Sequence, residues 1–459
     1  MRIKAWQAEC DIRRSAVPLD RRLHPSSWRE QTVADRGQDE VMLMLWESSV
    51  PGSGAPECLF REAAQSMENQ GFDESAAISL IPEGLHLARS GDAPALRVLT
   101  ARFLDALFAA PQDPLCSYLG FERPASWDGV LSRLPAARTP QEEQPDGVEE
   151  KTLAGWVGQL AGGAFGTAIE GYTGQRISEV YGDVRSYVTV PETMNDDVVY
   201  ELTFLDAFES HGRGLTSQDI AEEWLRQIPF GWSAEWVALQ NLRSGLMPPK
   251  SGTYRNPYAD WIGVQMRGMI CGMLAPGRPL EAVRLAYLDG VVSHAANGVY
   301  GGMYAAALTA LAYVRDDPRV VAVEAAGYVP QGSEYASVLR ECLDMVTRES
   351  EVSSVLAWAG QRFEQYNWIH AYPNMAVDVI SLWYGGRDIT ESFALLARGG
   401  LDIDCNAGLV GTVLGAMSGV PAAWADPIGD LLETYVPGKE RLSIHALAER
   451  TARLARRML

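Results

Sequence analysis

The sequence predicts an all-α protein: a compact helical main domain with an additional, mostly helical N-terminal region. Three observations predict it. Apolar residues recur at helical spacing in one segment after another, as in Leu96, Leu99, Phe103, Leu104 and Leu107, or Ile220, Trp224, Leu225 and Ile228. The alternation expected of a half-buried strand is scarce throughout. Long runs such as LAGWVGQLAGGAFG from Leu153 and AGLVGTVLGAMSG from Ala407 mix glycine and alanine with large apolar residues and read as buried helices.

The chain divides at residues 139–150. PAARTPQEEQPDGVEEK, which begins at Pro135, is rich in Pro, Gln and Glu and has almost no large apolar residue, so it reads as a linker. Residues 1–138 form an N-terminal region without a catalytic signature. Within it, VMLMLWESS from Val41 fits either a buried strand or a short helix, PGSGAP from Pro51 is a turn or short linker, and Glu57 to Ala110 is helical. The main domain spans 151–437. Its first segment carries Gly155, Gly158, Gly162, Gly163 and Gly166, which would let another helix approach closely, and it ends near Glu170, the lone acid in an apolar run. Residues 217–245 are helical. A loop from Pro248-Pro249 leads through NPYADWIG to a helix over Trp261 to Cys271. Leu280 to Val314 forms a helical pair, and Tyr335 to Tyr366 is helical again. Arg387-Asp388-Ile389-Thr390 opens the helix that leads to Asp402. Residues 438–459 form a basic C-terminal helix whose arginines suit a helix C-terminus.

Composition narrows the function. A chain of 459 residues with 47% hydrophobic and 21% charged residues can build a large core. A net charge of −20 argues against nucleic acid and anionic membranes as partners. Cys10, Cys58, Cys116, Cys271, Cys342 and Cys405 contain no CxxC pair and read as reduced thiols. MRIKAWQAECDIRR lacks the apolar core of a signal peptide, and no stretch approaches the roughly 20 apolar residues of a membrane span. A soluble, cytoplasmic protein is expected.

Two acidic helix starts stand out. Asp402-Ile403-Asp404-Cys405-Asn406 precedes one small-residue helix, and Asn195-Asp196-Asp197 precedes another, with Val198, Leu202 and Leu205 on one face. Acids suit a helix N-terminus, and Asn195 is a natural N-cap, so ordinary capping accounts for each pair alone. If the two starts meet, four carboxylates make an oxygen-rich site for Mg²⁺, Mn²⁺ or Ca²⁺. Further candidates are His294, followed by Asn297, Gly298, Tyr300 and Gly301, and His370 with Asn374. A satisfied core histidine and a helix cap are the ordinary readings of His294 and Asn374. Trp261, Trp368, Trp383, Tyr300 and Tyr304 could stack a base, although most aromatics of this kind pack in a core.

In this order, AGGAFGTAIEG, the NDD at Asn195, SHAANGVYGGMYAAAL, HAYPNMAVDVI and DIDCNAGLVGTVLGAMSG together resemble the ADP-ribosylglycohydrolase family, over about residues 150–437. The resemblance implies an all-α fold with two Mg²⁺ ions that bind the ribose of an ADP-ribose-like or nucleoside-containing substrate. It implies Asn195, Asp196, Asp197, Asp402, Asp404 and Cys405 as metal ligands, and Glu170 near the reacting centre, with Glu170, Asp197 and Asp404 as the catalytic set. Glu170, His294, Asn297, Gly298, Tyr300, Gly301, His370 and Asn374 are the substrate-binding candidates. The expected activity is metal-dependent hydrolysis of an N- or O-ribosyl bond. The alternatives are a non-catalytic ADP-ribose-binding module and a glycohydrolase of small NAD-derived or nucleoside metabolites. Three positions depart from the family pattern: Asn195 and Cys405 stand where it has threonine, and Thr167 where it often has aspartate.

Overall fold

The computed structural model describes residues 36–135 and 142–457, together with 14, 15 and 17. Cys10 and most of the start of the chain lie outside the described residues, as do linker residues 139–141 and the last two residues.

Among the described residues the N-terminal region is helical, as expected, with one small hairpin. Its elements are α1 (Arg36–Trp46), β1 (Ser48–Ser49), β2 (Pro56–Glu57), α2 (Leu59–Asn69), α3 (Ile81–Ser90) and α4 (Ala93–Ala109). The segment from Val41 is therefore helix as far as Trp46, and PGSGAP is the turn of the hairpin. Helix α4 starts where Asp92 accepts a hydrogen bond from the Ala95 amide and proline occupies the first turn, where its missing N–H costs nothing. Its Leu96, Leu99, Phe103 and Leu107 are buried together, and Phe103 and Phe60 both meet Trp46, with ring centroids 5.6 and 4.7 Å away. This small core continues without a break into Ala234, Val237, Tyr258 and Trp261 of the main domain.

The main domain contains α5 (Val148–Gly166), α6 (Asp197–His211), α7 (Ser217–Gln227), α8 (Ser233–Arg243), α9 (Met269–Leu274), α10 (Pro279–Gly290), α11 (Ala296–Ala312), α12 (Glu334–Arg348), α13 (Ala371–Gly385), α14 (Ile389–Gly399), α15 (Ile403–Ser418) and α16 (Ile444–Arg456). Local chemistry sets several starts. Thr216 and Asp219 form a capping box at α7, and Asp388 accepts from the amides of Thr390 and Glu391 at α14. Helix α5 begins inside the 139–150 stretch, where Glu143 already pairs with Arg315 and its amide bonds to the Gly277 carbonyl. The segment from Trp261 to Cys271 is less regular than periodicity suggests. It holds a short 3₁₀ turn at Ile262–Val264 before α9.

The axis of the domain is the antiparallel pair α5 and α15, and glycine makes it. A Cβ at Gly158 would collide with the Gly411 carbonyl, one at Gly162 with the Ala407 carbonyl, and one at Gly166 with the backbone at Asp404; from the other side, one at Gly415 would strike the Ala154 carbonyl. Glycines four apart fall on one helix face, so the two backbones touch along their length. The contact fixes the end of α5 beside the start of α15.

A second buried feature stiffens the domain. The Arg267 guanidinium bonds Glu235 (2.6 Å), Asp289 (2.5 Å), the Ser293 hydroxyl (2.7 Å) and the Gly263 carbonyl (2.5 Å), and all three charged residues are buried. Its cation also lies over the rings of Tyr200 and Trp224, 5.3 and 5.0 Å from their centroids.

Candidate functional site

The two acidic helix starts do meet. Because the end of α5 abuts the start of α15, Thr167 and Glu170 stand next to Asp402 and Asp404, and α6 brings in Asp197. Ligand atoms of Glu170, Asp402 and Asp404 lie within 4.8 Å of one another, and those of Asp197, Asp404 and Cys405 do the same. Asp404 belongs to both groups. The Thr167 hydroxyl is 2.9 Å from the Gly163 carbonyl and 3.4 Å from Asp404 Oδ2. The Cys405 amide donates to Asp404 Oδ1 (2.9 Å), and its thiol donates to Asp197 Oδ1 (3.3 Å).

The loop before α15 is held from both sides. The Gly171 amide donates to the Leu401 carbonyl and the Leu401 amide to the Tyr172 carbonyl, so the Glu170 segment is laced to the Asp402 segment. Leu401 adopts φ +76°, a left-handed conformation that a leucine takes only when its surroundings enforce it. Asn374 anchors the other side. Its Oδ1 accepts from the Asp402 amide (3.3 Å) and from Asn406 (2.8 Å), and its Nδ2 donates to the carbonyls of Trp368 (2.8 Å) and His370 (2.9 Å).

Such crowding of like charge has a strong effect. Burial, followed by the charges of Asp404 and Asp402, pushes the Glu170 pKa well above the carboxylate range. Burial and the Asp404 charge raise Asp197 and Asp402 in the same way, and burial with the Asp197 charge raises the Cys405 thiol. Asp196 stands at the rim. It keeps solvent contact although atoms crowd its carboxylate, and burial plus the Asp404 charge lift it to about 7.

Residues 144–458 match the family described as ADP-ribosylglycohydrolase, which is well over half of the chain. The chain belongs to that family. A solved structure described as an ADP-ribosylglycohydrolase-related protein complex aligns over 67% of this chain and 99% of its own, at 18% identity and a TM-score of 0.48. No protein of curated function matches the sequence. The family match reaches through α16 and leaves the helices of the N-terminal region outside it.

Within this domain, two capping expectations need correction. Asn195 does not cap α6: Asp196 occupies that position, and its side chain makes no capping bond. Instead Asn195 turns towards α5, where a Cβ on Gly163 would stand 2.8 Å from its Nδ2, while its buried Oδ1 finds no partner among the described residues. Asn374 does not cap α13 either. His370 is the cap, its Nδ1 accepting from the Tyr372 amide (3.2 Å), and Asn374 lies inside the first turn, aimed at Asp402.

The remaining candidates form a separate group around the 259–267 loop. His294 Nδ1 sits 2.7 Å from the Ser293 hydroxyl and 3.8 Å from Glu235; burial and the Arg267 charge hold its pKa well down, so the ring is neutral. Asn297 Oδ1 accepts from the Tyr335 amide (3.2 Å). A Cβ on Gly298 would strike the Ala259 carbonyl, and Gly301 faces Gln265 and Tyr335. Tyr300 is buried with its hydroxyl unpartnered among the described residues. His370 links the two groups: its ring centroid is 4.6 Å from those of Tyr366 and Tyr372, and it pairs with Trp261 in an isolated β-bridge. Of the aromatics, Trp261, Tyr300 and Tyr304 are core residues, whereas Trp368 is partly exposed beside Gly171.

Three features escaped the sequence reading: the Arg267 cluster, the Tyr118 hydroxyl on Asp260 (2.9 Å), and the buried Gln159–Glu201 pair (3.0 Å). A lone arginine in the apolar stretch around Met266 was the available signal for the first.

The acid centre suits a divalent cation. Glu170, Asp402 and Asp404 offer hard carboxylate oxygens at mutual distances a cation can span, and the charges that act on Glu170 come chiefly from other acids. The neighbouring group fits Mg²⁺ less well, because Cys405 offers sulfur.

Proposed function

We propose that this protein hydrolyses an N- or O-ribosyl glycosidic bond of an ADP-ribose-like substrate, with help from bound divalent cations. The observation that carries the reading is the shared position of Asp404 between two buried groups of ligand atoms, each within 4.8 Å. Asp402 and Asp404, with Glu170 beside them, would hold one ion. Asp197 and Asp404, with Asn195, Asp196 and Cys405 at hand, would hold a second. Two Mg²⁺ ions are the reading for the family, and Mn²⁺ or Ca²⁺ suit the same oxygens. When bound, the cations would orient ribose hydroxyls and polarise a water. Glu170 would move the proton. It would give one to the leaving nitrogen or oxygen as the bond to ribose C1″ breaks and take one back from the water whose oxygen joins C1″. His370 and Asn374 would shape the wall next to the acids, and His294, Asn297, Gly298, Tyr300 and Gly301 the loop beyond.

The test is release of ADP-ribose or ribose from a panel of ADP-ribosyl and nucleoside substrates, with Mg²⁺, Mn²⁺ or EDTA. Metal-dependent release that disappears in Asp404→Asn and Asp197→Asn supports the reading, and full activity in both variants overturns it. One observation favours a second reading, a binding module without turnover: the Cys405 thiol occupies Asp197 Oδ1, an atom the second ion would need. Tight ADP-ribose binding with no product over long incubation would support that reading.

No helix among the described residues is long and apolar enough to cross a membrane. Cys58, Cys116, Cys271, Cys342 and Cys405 are free thiols. Together with the net charge of −20 they support a cytoplasmic protein that does not bind nucleic acid.

A further inference from the structure

The part of the chain outside the family match reaches the acid centre. The hairpin turn between β1 and β2 lies on the residues that follow α5. Gly52, at φ +90°, comes so close that a Cβ on it would stand 2.5 Å from Thr167 Cγ2, on the residue whose hydroxyl approaches Asp404. The Ser53 carbonyl accepts from the Tyr172 hydroxyl (3.2 Å). Ala55 presses on Gly171, where an added Cβ would stand 2.7 Å from its methyl. At the end of the hairpin, both Glu57 carboxylate oxygens accept from the Trp232 indole at 2.9 Å, and the Glu57 charge reaches Asp196.

The rest of the N-terminal region clamps the hairpin down. Ser66 donates to the Pro257 carbonyl (2.6 Å), the Tyr258 hydroxyl donates to the Leu59 carbonyl (2.8 Å), and Gln65 and Asn69 donate to the Gln365 carbonyl (2.9 and 3.2 Å). Segments 167–172, 257–261 and 365–370 border the acids or the loop beyond them, and one face of the N-terminal region covers all three. Glu170, Asp197, Asp402 and Asp404 are no more than 7% exposed, while solvent reaches Asn195 and Asp196.

We propose that the turn at residues 50–55 is a fixed roof over the acid centre, which restricts it to small, freely diffusing glycosides of the ADP-ribose or nucleoside class. A ribosyl group on the side chain of a folded protein would bring that protein's surface against the roof. A small polar substrate would enter from the side at Asn195 and Asp196, which solvent reaches. The helices on either side of the roof share a core with the main domain, through Tyr258 and Trp261, so it does not swing on a hinge. This inference rests on the proposed function and specifies its substrate.

The experiment is competition binding to the full chain with Mg²⁺. Labelled free ADP-ribose is displaced by unlabelled ADP-ribose or by an ADP-ribosylated protein. Two altered chains are compared: one in which an Asn-Gly turn replaces residues 51–54, and Tyr172→Phe, which removes only one tie to the roof. The unaltered chain should prefer the free ligand over the modified protein by at least about a hundredfold, and the shortened turn should narrow that ratio at least about tenfold. Tyr172→Phe should narrow it less, in the same direction. Equal displacement by both competitors in the unaltered chain overturns the roof and leaves the proposed function standing. So does an unchanged ratio in both variants. Failure of every form to bind labelled ADP-ribose overturns the site reading and the roof with it.

Discussion

Replacing Arg267 with methionine would leave two buried carboxylates without their cation. Arg267 is 2% exposed, Glu235 4% and Asp289 3%, so none can turn to water. Methionine fills much of the same volume, and the loss is therefore electrostatic. Burial already pushes the pKa values of Glu235 and Asp289 up, against the pull of Arg267. Without the guanidinium each acid escapes by keeping a proton. Holding a proton from an unfolded-state pKa of about 4 up to pH 7 costs about 4 kcal/mol per group, at about 1.4 kcal/mol per pH unit. Breaking one buried pair typically costs about 3–5 kcal/mol, which agrees. Two groups give a loss of up to about 8 kcal/mol at pH 7, less what their already raised pKa values cost the unaltered protein, and enough to unfold many proteins. The sign follows from linkage. A carboxyl whose folded pKa is raised destabilises the fold as pH climbs above its unfolded value, so the loss should shrink to about 2–3 kcal/mol near pH 5. Urea unfolding of both forms at the two pH values measures it. Arg267→Met with Glu235→Gln and Asp289→Asn should recover most of the stability. A loss below about 1 kcal/mol, or one that is independent of pH, would refute the reasoning.

Other outcomes follow from the same contacts. Gly162→Val forces a branched side chain into the Ala407 carbonyl, and a cost above about 3 kcal/mol in denaturant unfolding is expected, beyond ordinary overpacking because backbone must move. Asp404→Asn removes the charge shared by both acid groups. In EDTA its melting temperature should equal or exceed that of the unaltered protein, and the rise on adding Mg²⁺ should vanish; an undiminished Mg²⁺ rise would show that Asp404 holds no ion. Glu62 is buried with Oε2 unpartnered among the described residues, and burial with the Glu57 charge lifts its pKa from 4.5 to about 8. The unfolded chain loses that proton near 4.5 while the folded chain keeps it, so this group erodes stability as pH rises from 4.5 to about 8 and no further. Glu62→Gln should remove a few kcal/mol of that slope, read as the difference between the two melting curves across the range.

The helical class, a glycine-lined helix open to close approach, and the two acidic helix starts were legible in the sequence because each has a local signature, whereas the partner of that helix and the meeting of the two starts join distant segments and do not. Spaced glycines announce a close helix crossing, and acids before an apolar run announce a helix start. The capping reading of Asn195, and the ordinary one of Asn374, failed for a physical reason. Sequence shows that a polar residue stands near a helix start, but not whether it folds back on its own first turn or reaches a neighbouring segment. Asn374 reaches Asp402, 28 residues away along the chain. The Arg267 cluster joins residues from 235 to 293, and no short window contains it. The roof was least legible of all. Its residues are a glycine-rich turn that looks like a linker, and only the packing of the N-terminal region shows where that turn rests.

The backbone contact between α5 and α15 also determines which changes in chain length the protein can survive. One added residue between Gly158 and Gly166 would rotate everything after it by about 100° about the helix axis. The glycine row would leave the crossing, and Glu170 would swing away from Asp404. An insertion in the exposed stretch near Gly182 or Gly438, where an added Cβ meets open space, carries no such penalty. Among natural variants of this chain, gaps and insertions should therefore spare the span from Gly158 to Glu170 even where individual side chains drift.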